Sequence, residues 1–314
     1  MSATTTTTTP AASGPATASR TGTSLGRLAL VLRLHRMGLS AGATCAALMA
    51  GVLLWLRFGP DAAAAAKLQA RCATSHGREC LWFQQSELFQ FESAVSDMVA
   101  VLRDVVPLMA AVAGAALVTR ELANGTAELA WTQSVSPVRW LAEKLVLPAV
   151  LLAVGTGVLV VLCRDLLDWA GAHRLLMAGY QTNDHFFAVG PSIVAYALLG
   201  LTAGFLAAVH FRRAPLALVG GAAATWAAAY VLDPWRTQIW PTVSRAVRGD
   251  GPFGFTAWPC EYDQAEHKYS IDACLGAQPA SHYWPVQLVE TGFVLVLAAL
   301  VAVVALWRLR RRTG

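Results

Sequence analysis

Few polar residues in this chain stand in a pattern, and the densest set runs from Arg120 to Lys144, RELANGTAELAWTQSVSPVRWLAEK. It carries Glu121, Arg139 and Lys144 as charges, Asn124-Gly125 as a turn, and Thr126 and Ser136 as capping groups. Glycine tolerates φ > 0, and asparagine tolerates it better than most residues, so Asn124-Gly125 turns the chain. Thr126 then caps a short helix, and Ser136-Pro137 caps a second one with proline in its first position. Glu121 can pair with a basic group on a partner or with Arg139 across the loop. Arg139 falls in a first helical turn, where the helix dipole disfavours a cation, and this points to an anionic contact there, whether on a partner or a lipid phosphate. The set makes no bonds. It forms a charged elbow that another protein can push.

Other chemistries find less support. No glycine is followed by lysine, so no phosphate-cradling G-x-x-x-x-G-K-[ST] loop exists in the chain. The H-E-x-x-H pattern is also missing. Gly155-Thr156-Gly157 and Gly220-Gly221 sit in apolar runs, where small residues let helices approach closely. Arg174, Asp184 and His185 are the only polar group that an embedded enzyme could use, and they share one loop. Three charges fall inside apolar runs, where they are costly: Arg103, Asp104 and Glu290. They either line a polar path or reach out to the interface and neutralise one another, and their depth near one end favours the second. Of 6 cysteines, Cys45 and Cys163 lie in apolar runs, whereas Cys72 with Cys80 and Cys260 with Cys274 form local pairs. An oxidising compartment would bridge these pairs. A metal set of Cys260, His267, Cys274 and His282 has no common zinc spacing, and no metal is assigned.

The elements that position these residues must be membrane helices. The chain has 314 residues, 56% hydrophobic and only 14% charged, and its apolar residues come in runs as long as a bilayer is thick. Hydropathy places six spans at about 37–56, 98–119, 145–163, 186–211, 214–232 and 286–307. The expected fold is therefore all-α and polytopic, with residues 27–314 forming one six-span domain behind a disordered, Thr-rich cytoplasmic tail at 1–26. No cleavage pattern marks the tail as a signal peptide, and Leu25 to Leu34 reads as an interfacial amphipathic helix. The net charge of +5 lies beside the apolar runs and not on a basic-aromatic surface, so it implies a lipid bilayer as partner and no nucleic acid.

With both termini inside, 13 of 24 basic residues fall on short cytoplasmic segments, against 3 of 19 acids, as the positive-inside rule requires. This leaves two larger outer loops, at 59–97 and 233–285. The first contains WFQQSELFQFESAVSDM, which reads as an amphipathic helix lying on the outer face. The same topology puts Asn124-Gly125-Thr126 on the wrong side for glycosylation.

Glu121, Asn124-Gly125-Thr126, Ser136-Pro137, Arg139 and Lys144 resemble the E…GT…sP…R…K pattern between the second and third spans of type-2 ABC exporter permeases. The phrase LAWTQSVSPVRWLAEKL is similar to a branch of that family found in high-GC actinobacteria. The resemblance covers roughly residues 36–312 and implies a plasma-membrane export permease with no cofactor of its own. ATP and Mg would be bound by a separate ABC ATPase subunit docking on the elbow, and a second permease subunit would complete a homodimer or heterodimer. Two other classes are compatible with the composition: a membrane scaffold or sensor that transports nothing, and a membrane-embedded enzyme.

Overall fold

The computed structural model describes residues 36–72, 86–124, 137–176, 188–211, 213–239, 262–263, 268–269 and 283–313. Contact density divides the chain into Met1–Gly42 and Ala43–Gly314, and the helical bundle is built within the second unit. Seven helices lie among the described residues: α1 (Arg36–Phe58), α2 (Pro60–Cys72), α3 (Glu87–Ala123), α4 (Pro137–Ala172), α5 (Ser192–His210), α6 (Ala214–Ile239) and α7 (Tyr283–Thr313). They provide 6 runs long and apolar enough to cross a bilayer, with α1 and α2 sharing the run from Ser40 to Cys72. The protein is an all-α, polytopic membrane protein. Strand pairing among the described residues is limited to two antiparallel pairs, Tyr262 with Tyr269 and Asp263 with Lys268.

Helix ends follow local chemistry, and here the structure departs from the hydropathy reading. Ser86 accepts the Phe89 N–H on its Oγ at 3.2 Å, an N-cap that starts α3 eleven residues before the expected span at Met98. The expected separate outer helix is therefore corrected: from Glu87 onward that segment is the first part of α3, continuous with the span. It is held there because Leu88, Phe91 and Val95 are buried. The fourth span, expected from Phe186, begins instead at Ser192, since Gly190-Pro191 interrupts the backbone ladder just before it. Between α1 and α2, Pro60 has no N–H to donate, while Gly59 bonds back to the Trp55 carbonyl at 2.7 Å and Ala63 to the Gly59 carbonyl at 3.4 Å. At the end of α4, Arg174 takes a left-handed conformation at φ 55. The Leu175 N–H then reaches the Ala170 carbonyl at 2.9 Å and the Arg174 N–H reaches Gly171 at 3.0 Å. That pair of bonds is a Schellman cap, with Leu175 fully buried beside it.

Helix α5 is the centre. Its sequence, SIVAYALLGLTAGFLAAVH, is apolar almost all round, the pattern of a helix with neighbours on every side. It touches α3, α4, α6 and α7; 78% of its span is buried, against 11% for that of α4. Its 19 residues rise about 28 Å at about 1.5 Å each, close to the ~30 Å of a hydrocarbon core. The contacts depend on missing side chains. A Cβ on Gly204 would overlap the Ala111 carbonyl oxygen of α3, and one on Gly221 of α6 would sit 2.9 Å from the Gly204 Cα. Three backbones thus meet at Gly204. Its replacement by valine must separate them, at the upper end of the roughly 1–3 kcal/mol that overpacking costs. Gly157→Ala adds a methyl group with nothing within 4 Å of it. In detergent, fluorescence-detected size exclusion should show less folded protein and a lower melting temperature for Gly204→Val, and parental behaviour for Gly157→Ala. Parental stability in Gly204→Val would mean that the close approach is dispensable.

Candidate functional site

The ends of α3 and α4 bring the patterned polar residues together. Glu121 stands in the last turn of α3, where the helix dipole disfavours an anion. Lys144 stands two turns into α4 and donates its Nζ–H to Glu121 Oε1 across 23 positions of sequence. Both side chains are largely buried, 13% exposed for Lys144 and 23% for Glu121. The ammonium also lies 5.3 Å from the ring centre of Trp140, itself 7% exposed and one turn earlier on the same helix face. The pair thus closes the base of the loop. In the same turn of α3, the Thr119 hydroxyl donates to the Ala115 carbonyl at 2.9 Å.

This corrects one expectation. Glu121, expected to be exposed and to pair with a partner or with Arg139, is 23% exposed and bonded to Lys144. Pro137 is the first residue of α4, as its position after Ser136 predicts. Asn124 is an exposed turn residue. Gly125, Thr126, Ser136 and the Arg139 side chain lie outside the described residues.

The charges within the spans divide into two kinds. Arg103 and Asp104 are sequence neighbours with Nε and Oδ1 3.7 Å apart, and Asp104 is 60% exposed. They stand about 27 Å along α3 from Glu121, near the opposite end of the bundle. Glu290 is different. It is 3% exposed and accepts a hydrogen bond from the Tyr196 hydroxyl of α5 at 3.1 Å. It therefore points inward and does not reach for the interface. One turn earlier on α7, the fully buried Gln287 accepts the Ser192 N–H at 3.3 Å and satisfies the N-terminus of α5. Sequence reading missed Ser192, Tyr196 and Gln287. Their spacing, i and i+4 on α5 and i and i+3 with Glu290 on α7, was the available signal.

Aromatic and cationic side chains mark both interfaces. At the far end, Arg57 of α1 bonds Asp165 of α4 at 3.1 Å and stacks 4.6 Å from Trp169, and Arg164 lies 5.1 Å from Trp284. At the loop end stand Lys144 with Trp140 and, on α7, Arg311 at 3.9 Å from Trp307. From Lys144 to Arg164, α4 rises about 30 Å, the thickness of the hydrocarbon core. Cys72 at the end of α2 is disulfide-bonded, and Cys45 and Cys163 are free. Cys80, Cys260, Cys274, His267, His282, Asp184 and His185 lie outside the described residues.

The family model described as ABC-2 membrane transporter related matches residues 43–236, well over half of the chain, from within α1 to just past the end of the fifth span. No curated protein matches, and no solved structure does.

Two measurements test the site. Lys144→Met leaves the largely buried Glu121 carboxylate without its ammonium, which should cost about 1–3 kcal/mol. Exchanging the charges, Glu121→Lys with Lys144→Glu, should recover part of that in a double-mutant cycle. A coupling energy near zero would mean that the contact carries no weight. Thiol labelling of the denatured, unreduced chain should modify Cys45 and Cys163 and leave the other four cysteines protected. Closing a loop of about 15 residues stabilises by about 3 kcal/mol in the chain-entropy model. Labelling at all of Cys72, Cys80, Cys260 and Cys274 would contradict this.

Proposed function

We propose that this chain, which belongs to the ABC-2 membrane transporter related family and is a membrane permease of an ABC transporter, exports its substrate across the plasma membrane. The energy comes from ATP, bound with Mg and hydrolysed on a separate ABC ATPase subunit. That subunit docks on the loop between α3 and α4, and a second six-span permease, identical or similar, completes the path. Both termini lie in the cytoplasm, on the same side as this loop. The observation that carries the reading is the Glu121–Lys144 pair. It joins the ends of two spans across the loop, so a displacement of the loop acts on both helices together. In the sequence Asn124-Gly125 signals a turn, and a Cβ at a left-handed position costs about 1–2 kcal/mol.

Reconstitution tests this. The purified chain alone should hydrolyse no ATP, and turnover should appear only with the ATPase subunit; vanadate-sensitive turnover by the chain alone would sink the proposal. Gly125→Val and Glu121→Ala should insert at parental abundance yet lose transport and substrate-stimulated turnover. Glu121→Lys should be worse than alanine and be partly rescued by Lys144→Glu. Parental transport in all of these variants would reduce the loop to a connector. Mass measurement in nanodiscs should give a dimer of permease subunits, and an active strict monomer would overturn that part.

A further inference from the structure

Where α4, α5 and α7 meet at the loop end, a cleft of about 100 Å³ opens. Ala142, Leu145 and Val146 of α4 form one wall, Ala302 and Leu306 of α7 the other, and Phe205 of α5 the floor. Thr202, the polar residue of the lining, donates its hydroxyl to the Leu199 carbonyl at 3.0 Å, which leaves the cleft apolar. Such a space does not hold water, because water needs two to four polar partners.

Arginines of α7 stand at the rim, and α4 carries Glu143 and Lys144 between the lining residues Ala142 and Leu145. Arg308, two residues beyond Leu306, donates an Nη1–H to Nδ1 of His210, the last residue of α5. An imidazole nitrogen accepts that bond but carries no negative charge. From Ser192 to Leu232 and from Thr291 to Thr313 the sequence contains no Asp or Glu, while Arg213, Arg308, Arg310 and Arg311 cluster at these helix ends. Trp307, 48% exposed and stacked by Arg311 at 3.9 Å, sets the headgroup level beside Arg308. Basic pockets between transmembrane helices are where anionic headgroups bind, and a guanidinium fork matches phosphate.

We propose that this cleft is a specific site for one anionic phospholipid, with an acyl chain between α4 and α7 and the phosphate on Arg308 beside His210. A chain in the cleft touches three helices at once, which separates this site from the lipid that coats the bundle elsewhere. The inference needs only that the helices span a bilayer and is independent of the direction of transport.

Native mass spectrometry of the purified chain after exchange into vesicles of phosphatidylglycerol or acyl-matched phosphatidylcholine tests it. Retention of one phosphatidylglycerol should exceed that of phosphatidylcholine by about tenfold, as one or two basic groups near the headgroup allow. Arg308→Gln should abolish that preference, and Arg308→Lys should keep most of it. Ala302→Phe, which fills the cleft, should release the lipid while size exclusion remains parental; if that variant misfolds, the Gln and Lys pair still decides. Equal retention of both lipids, unchanged preference in Arg308→Gln, or displacement of the lipid by inorganic phosphate alone would overturn the proposal.

Discussion

Apolar helices in a bilayer gain nothing from the hydrophobic effect when they touch, because lipid tails are as apolar as leucine. They associate through close van der Waals contact and a small number of interhelical hydrogen bonds, and in this chain both converge on α5. The Gly204 backbone meets α3 and α6 without an intervening side chain, and on its other side the helix bonds α7 through Ser192 and Tyr196. An interhelical hydrogen bond in a membrane averages about 0.6 kcal/mol, so two of them cannot hold a bundle together. The contacts along α3 and α6 carry the stability, and the polar pairs fix the rotation of α7, since turning it would strand Gln287 and Glu290 in hydrocarbon.

The same constraint explains what the sequence disclosed. Every span was legible, because lipid requires about twenty apolar residues in a row and charge rarely interrupts them. The ends were less so. Hydropathy begins a span where polar residues stop, whereas a helix begins where its backbone is capped, and Ser86 caps α3 well outside the apolar stretch. The first turns of α3 look amphipathic because they pack on α2, which buries Ala62, Ala65 and Leu68, and that contact cannot be read from α3 alone. Residues of the elbow were recognisable as a set, but the partner of Glu121 was not. That Lys144 reaches it depends on how α4 is turned, with Trp140 buried one turn earlier on the same face. For Glu290, spacing from the span end suggested the interface, and only the position of Tyr196 shows that it turns inward.

The two ends of the bundle are built differently. At the far end, α1 is tied to α4 by Arg57 and Asp165, and α5 to α7 by the buried polar pairs, so most helices there have a directional link. At the loop end the links include the Glu121–Lys144 pair and the contact of His210 with Arg308, and between α4 and α7 lies an apolar cleft. Dispersion across such a gap is weak, because its lining atoms lack partners on one side. Helix α4 is also the least buried span, and Pro148, four residues past Lys144, removes one rung of its ladder just inside that end. Because Glu121 binds Lys144, a displacement of the loop cannot move α4 without also drawing on the end of α3, whose middle is locked against Gly200 and Gly204. The Glu121–Lys144 pair thus joins the least buried span to one packed closely on α5, and the apolar cleft lies beside the less buried one.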